Sequence, residues 1–437
     1  ARHAQRARSV VGLSVAEPWH NWSGSVAAQP ARVAAPRSEA ELADVVRGAS
    51  SVRVVGAGHS FMPLCATDGA LVSLDALDSP VELAEDDRTA WAPAGWSLRR
   101  VAEALWALDH SLPNQGDIDD QALGGAIATG THGTGEALGS LSTIARGFRM
   151  MLADGTVVAC SRDAWPALFE AARLSLGLVG VATRIRIDVV PAYRLEQRIE
   201  RVSLDEVAER FADIAQRHRH AEFFAFPYSD DVILKTLHPT DDASPFEPPG
   251  GDAEREWQRV CDRCHALPFA TGWLQRRLMA GIRGSRRVGP AHQIFPSERT
   301  VRFEEMEYEV PRDAGFPALR EAIRWIRRRR RAVIFPFEFR WTAADDIWLS
   351  PFNRGPCASI SVHQYARRRW QALFRDLEPI FRDHAGRPHW AKRHTLTAPD
   401  VFALYPRAAE FCAVRREVDP QGKFANDHLT RLFDLQP

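Results

Sequence analysis

No apolar run in this sequence approaches the roughly 18 residues that a membrane-spanning helix needs, so no span is expected. Excess charge is also missing: 56 basic side chains balance 56 acidic ones, which removes the electrostatic case for nucleic acid or an anionic membrane as partner. Cysteines are few, six in 437 residues, and a chain this long builds a core without disulfide staples. Only Cys261 and Cys264 stand at C-x-x-C spacing. With no second Cys or His pair at zinc-ligand distance, they read as two residues of a helix, and no metal is expected. The Arg-containing start lacks the apolar segment of a secretory leader, so a cytoplasmic location is the expectation. What is present is 45% hydrophobic and 26% charged, the composition of a globular chain of two or three domains that suits a small neutral partner.

The first 190 residues alternate short β-rich runs with amphipathic helices. Ser38 and Glu41 predict a capping box opening a helix through Val46, and Val52 to Val55 a buried strand. Leu98, Val101, Leu105 and Leu108 share a helical face, and Arg149 to Cys160 predicts a hairpin turning at Asp154-Gly155. A helix over 168–174 and a strand over 181–190 close this unit. After Pro191 the composition shifts toward aromatics and Arg, with a loop-like stretch from Pro239 to Asp252. Strands are predicted over 300–310, 333–341 and 358–365, and helices over 318–331 and 368–382. The run Arg327 to Arg331 reads as a solvated helix face.

Two glycine-rich segments carry the chemistry. Val54-Val55-Gly56-Ala57-Gly58-His59-Ser60-Phe61 follows a strand, and its two glycines let backbone N–H groups turn toward an anion such as a pyrophosphate. The third glycine of a dinucleotide fingerprint is missing, and Met62-Pro63 argues against a helix starting there. Pro113 to Gly135 holds six glycines among Thr hydroxyls and small side chains, which permits close backbone approach to a large planar or phosphorylated ligand.

These segments, together with Ser175 to Thr183, resemble the FAD-contacting stretches of the vanillyl-alcohol-oxidase (PCMH) type flavoproteins. Phe335-Pro336-Phe337-Glu338-Phe339-Arg340, Ser350-Pro351, Val362-His363-Gln364-Tyr365, Arg387 to Lys392 and Asp419 to Phe424 resemble motifs of the aldonolactone and alditol oxidases in that superfamily. The resemblance implies an α+β fold: a two-lobed FAD-binding domain over 1–190, a substrate-binding cap with an antiparallel sheet flanked by helices over 191–415, and a segment over 416–437 returning to the FAD domain. It implies FAD bound covalently through His59, lined by Val54, Val55, Gly56, Ala57, Gly58, Ser60, Thr129, Gly130, Thr131 and His132, with Asp117, Ala122, Gly125 and Ala182 as further contacts. Glu338, Arg340, His363, Tyr365 and Lys392 are implied to converge over the flavin ring. Hydride leaves a carbinol carbon only as the hydroxyl proton is also removed, so cations and carboxylates together suit that task. Glu338 and Arg340, two apart on one strand, equally suit a surface pair, and the HWAK and VHQY motifs favour the site.

Gly116 stands where the superfamily is thought to control dioxygen's approach; glycine leaves the path open and implies O2 as acceptor and hydrogen peroxide as product. Asp117 replaces the serine of the alditol-oxidase pattern. The N-Q-G-D-I-D run, Glu222 to Pro227 and Val301 to Tyr308 resemble bacterial sugar-1,4-lactone oxidoreductases, which points to an L-gulono- or D-arabinono-1,4-lactone. A polyol or specialised-metabolite alcohol oxidase and a redox-inactive flavin-binding protein stay open as alternatives. Nothing in the sequence speaks to oligomeric state.

Overall fold

The computed structural model describes residues 18–248, 252–297 and 299–435; the Arg-containing start and part of the loop expected after Pro239 lie outside them. Among the described residues no helix is long and apolar enough to cross a membrane.

The N-terminal unit is built mainly on two sheets, beside two short two-stranded ribbons. Strand β1 (Arg32–Ala34), helix α1 (Glu39–Gly48), strand β2 (Val52–Val54) and strand β3 (Ala70–Val72) form a parallel three-stranded layer in the order β1-β3-β2. Ser38 caps α1 by accepting from the Glu41 backbone N–H, but the Glu41 carboxylate turns to the Arg37 N–H, so only half of the expected capping box forms. Strands β4 (Glu82–Leu83) and β5 (Thr89–Pro93), helices α2 (Leu98–Trp106) and α3 (Leu123–Thr129), strands β6 (Ala145–Met151) and β7 (Val157–Ser161), helix α4 (Pro166–Ala172) and strand β8 (Val181–Asp188) complete an antiparallel sheet ordered β7-β6-β8-β5-β4. The predicted hairpin is β6–β7; its turn needs Gly155 in the left-handed region at φ 84°, with Asp154 accepting from the Thr156 N–H.

The C-terminal unit is built on one eight-stranded antiparallel sheet. Its elements are β9 (Arg194–Ser203), α5 (Leu204–Arg217), β10 (His220–Ala225), β11 (Asp231–Pro239), α6 (Ala253–Ala266), α7 (Thr271–Gly281), β12 (Ser285–Pro290), β13 (Phe303–Pro311), α8 (Gly315–Arg329), β14 (Phe337–Thr342), β15 (Cys357–Tyr365), α9 (Gln371–Asp383) and β16 (Arg387–Pro388). The strand order is β12-β9-β11-β10-β14-β15-β13-β16. Strand β14 starts at Phe337 rather than at Val333, because Pro336 has no N–H to give the ladder. One sheet face is apolar: Phe223, Met306, Tyr308, Phe337, Phe339, Ile360 and Val362 pack under α5, α8 and α9. Side chains alternate along a strand, so the residues between these point the other way, toward the N-terminal unit. Cys261 and Cys264 lie buried on α6 as free thiols, and Arg328 to Arg331 form the exposed end of α8 and the turn after it.

Helices α10 (Ala398–Leu404), α11 (Ala408–Val418) and α12 (Asp427–Phe433) carry the chain back. Trp390, Val401, Tyr405, Phe411, Leu429 and Phe433 join the core that contains Leu98, Phe148 and Phe169, so this packing begins well before residue 416. The buried Arg53 donates to the carbonyls of Leu64, Leu176 and Phe424, tying the glycine loop to the closing segment. That return places the loop carrying Ala391 and Lys392 beside the loop carrying His59: the Phe61 N–H donates to the Ala391 carbonyl at 2.7 Å.

Candidate active site

Two cavities meet at His59 and Gln121, which line both. The first, about 1180 Å³, runs through the N-terminal unit and is lined by Val54 to Ser60, Ala122, Gly124 to Thr129, and Ala182. Its wall is largely backbone and small side chains. A Cβ on Gly125 would meet nothing within 4 Å, whereas one on Gly56 would come within 2.7 Å of Ala122 Cβ, so these glycines open the wall and close the packing behind it. Gly58 turns the loop at φ 69°. An elongated cleft with exposed backbone groups fits a dinucleotide cofactor such as FAD.

The second cavity, about 1850 Å³, lies between the two units. It is lined by Gly116, Asp117, Thr131, His132, Glu338, Arg340, His363 and Lys392 among others. Thr131 and His132, expected against the cofactor, therefore line this second space, as does Asp117, expected to contact both cofactor and substrate. Gly130 lines neither cavity: it ends α3 at φ 73°, and a Cβ there would meet Leu174 at 2.9 Å. Tyr365, expected over the flavin ring, is also in neither lining. It sits past His363 at the end of β15, where α6 covers it and its hydroxyl donates to Asp262 at 2.8 Å.

Cross-strand register sets the polar wall. Glu309, Ser359, Arg340, Glu222, Lys235 and Ile199 form one row across the sheet, and Glu307, Ser361, Glu338, Phe224 and Ile233 the next. The Glu338 carboxylate lies 2.6 Å from Arg340 Nη2. Glu305 holds Lys392 Nζ at 2.5 Å and His363 Nε2 at 3.3 Å. Burial opposes the Glu305 charge, but Lys392 and His363 outweigh it and hold the carboxyl below its usual range. His132 Nε2 sits 3.2 Å from Glu307 and 3.4 Å from Glu309. Burial disfavours its cation, yet the two carboxylates raise its pKa to about 10. On the other side Lys235 bridges Glu222 at 2.8 Å and Asp117 at 3.3 Å, with Arg299 3.3 Å from Asp117. Burial raises Glu222 to about 7 despite Lys235.

His59 differs from His132. Its ring stacks on Trp22 with centroids 5.1 Å apart, and burial together with the Lys392 charge lowers its pKa to about 4. The imidazole is thus neutral near pH 7, with a nitrogen lone pair available.

Sequence reasoning missed Glu305, Glu307, Glu309, Glu222, Lys235, Arg299 and Gln121 as parts of this wall. A signal for three of them was there. In Glu305-Met306-Glu307-Tyr308-Glu309-Val310 the carboxylates alternate strictly with apolar residues, and in a fully buried strand that pattern demands cations opposite.

Residues 185–432 match the D-arabinono-1,4-lactone oxidase family, and residues 30–161 match the FAD binding domain family. The L-gulono-1,4-lactone dehydrogenase of Mycobacterium tuberculosis is 36% identical over 433 residues, covering 95% of this chain and 99% of that protein. The L-gulonolactone oxidase of Bos taurus and the alditol oxidase of a Streptomyces species are each 28% identical, covering 95% of this chain and 98% of each relative. In fold, a cholesterol oxidase from Brevibacterium sterolicum superposes with a TM-score of 0.80 at 16% identity, covering 95% of this chain and 96% of that one. The chain belongs to the D-arabinono-1,4-lactone oxidase family, as an FAD-dependent oxidoreductase acting on CH–OH groups.

Proposed function

We propose that this chain oxidises a sugar-1,4-lactone of the L-gulono or D-arabinono type with covalently held FAD, passing the electrons to O2 and releasing hydrogen peroxide. The observation that carries the reading is the convergence of Glu338–Arg340 and Glu305–Lys392–His363 on one cavity whose junction with the cofactor cleft is His59. The lactone names come from the relatives. When bound, the flavin supplies the hydride acceptor.

Residues along 54–60, with Ala122, Gly125, Thr129 and Ala182, would hold the cofactor, and neutral His59 offers the nitrogen for the covalent link. The chain's own work is orientation and charge. Asp117 and Glu338 accept hydrogen bonds from lactone hydroxyls, while Arg340 and Lys392 donate to the oxygen on the carbon being oxidised. That oxygen must shed its proton as hydride departs. Glu305 and Glu307, both held ionised by neighbouring cations, are weak proton acceptors; Glu305 serves to hold Lys392 in place, and Glu307 to keep His132 charged. Glu338, whose Oε1 lies 2.6 Å from Arg340 Nη2, offers its other carboxylate oxygen to the hydroxyl proton. Buried cations beside a developing alkoxide act strongly because little water screens them. Gly116 lines this cavity without a side chain, so no Cβ there stands in the way of dioxygen.

The test is anaerobic mixing of the purified yellow protein with lactones and alditols. Bleaching by a lactone and not by open-chain alditols supports the proposal; bleaching by alditols alone assigns the enzyme to polyols, and bleaching by none refutes oxidase function toward sugars. Acid precipitation should carry the yellow colour down with the wild type and leave it in solution with His59→Ala.

A further inference from the structure

The second cavity is not polar throughout. Toward β13–β15 its wall consists of the ion pairs described above; toward β9–β11, beside Lys235, Asp117 and Arg299, the same sheet face also carries apolar side chains: Phe224 and Ile233 stand directly opposite each other, next to Glu338, and Ile199 follows Lys235. Trp257 from α6, with Leu278 from α7 and Ile282 just beyond it, completes the far wall. All six of these side chains are only half-buried, so they present apolar surface to the cavity. The room a ligand can occupy there, about 530 Å³, lies within the roughly 300–1,000 Å³ of a drug-sized ligand site, and a bare sugar lactone is smaller. A fully hydroxylated sugar gains nothing from the apolar part of such a wall, since hydroxyls laid against it would lose water without finding partners there.

We propose that the substrate is a sugar lactone bearing an apolar substituent, aryl or acyl, on the end remote from the oxidised carbon. The hydroxylated ring sits among Asp117, Glu338, Arg340 and Lys392, and the substituent fills the annex formed by Phe224, Ile233, Trp257 and the α7 residues. This inference rests on the sugar-lactone reading above and narrows it. Its physical basis is continuity: the apolar row begins one strand away from Glu338, so a single molecule spans both halves without a break.

The test compares L-gulono-1,4-lactone with its esters at the primary hydroxyl, formed with hexanoic or benzoic acid, using the FAD-loaded protein. The esters should raise kcat/KM by roughly tenfold or more, the scale on which apolar groups discriminate in a hydrophobic pocket. Binding measured separately by titration calorimetry should tighten by a similar factor. Ile282→Asp, placed at the annex and away from the ion pairs, should reduce the ester-to-lactone ratio of kcat/KM at least tenfold. Equal or poorer use of the esters, while the free lactone still bleaches the flavin, overturns the annex and leaves the lactone reading standing. If no lactone bleaches the flavin, that reading fails, and calorimetry still decides the annex: tighter ester binding supports it, and equal binding overturns it.

Discussion

Replacing Glu307 by glutamine tests whether the buried carboxylates act by keeping His132 charged. An unfolded histidine releases its proton near pH 6.5, whereas His132 in the folded chain holds it to about pH 10. Because the folded pKa is raised, this stabilisation is complete below pH 6.5 and is lost as pH climbs through 10. At 1.36 kcal/mol per pKa unit its size is roughly 5 kcal/mol. Glu307 and Glu309 stand at nearly equal distances, 3.2 and 3.4 Å, so they contribute about equally, and because the burial cost stays whole when one is removed, more than half of the net excess goes with it. In Glu307→Gln the imidazole should therefore titrate no higher than about pH 8, and its contribution should shrink to roughly 2 kcal/mol or less. The assay is the urea unfolding free energy of both proteins from pH 7 to pH 10. Tyrosines and lysines common to both cancel in the difference. Above pH 8 the wild type should keep losing stability while the variant does not, so the gap between them should close by about 2–3 kcal/mol. A gap that stays constant over this range would show that His132 is not held as a cation, and the account of the Glu305–Glu309 wall would fall with it.

Further outcomes follow from the same structure. Gly116→Ala should slow reoxidation of reduced flavin by dioxygen by about tenfold or more while anaerobic reduction by lactone changes less, because a Cβ there meets the His132 carbonyl at 3.3 Å; unchanged stopped-flow reoxidation would remove Gly116 from the oxygen path. Acid should unfold the protein abruptly. His220, His389 and His394 are lowered to about 3, and His428 to about 4, chiefly by burial. Depressed pKa values mean stability that is present above pH 6.5 and lost as pH falls toward 4, at roughly 2 kcal/mol per imidazole by pH 5. Circular dichroism should show a cooperative transition near pH 5, and a fold stable to pH 4 would contradict the burial of these rings.

Local order was legible wherever one physical rule acts alone. The Asp154-Gly155 hairpin follows from turn chemistry, the 98–108 helix from its apolar period, and the glycine segments from the backbone freedom they grant. Element ends were less so: Pro336 delays β14, and Glu41 chooses the Arg37 N–H over that of Ser38. Tyr365 shows why a motif does not place each of its members. His363 and Tyr365 share a strand face, but the cavity ends between them and α6 covers the second.

By itself, then, the sequence determined the cofactor class, through two glycine-rich segments and the motifs that accompany them, and it determined which residue types do the chemistry. What only the tertiary structure decided is which of them meet. The register of eight strands sets Glu305 against His363 and Glu222 against Arg340, and the return of the chain after Trp390 brings Lys392 to Glu305. The cations that neutralise those carboxylates come from distant stretches of the chain, so local spacing carries no trace of them. The same holds for the apolar half of the cavity, where residues unremarkable in sequence share a wall only because β9, β10 and β11 pair.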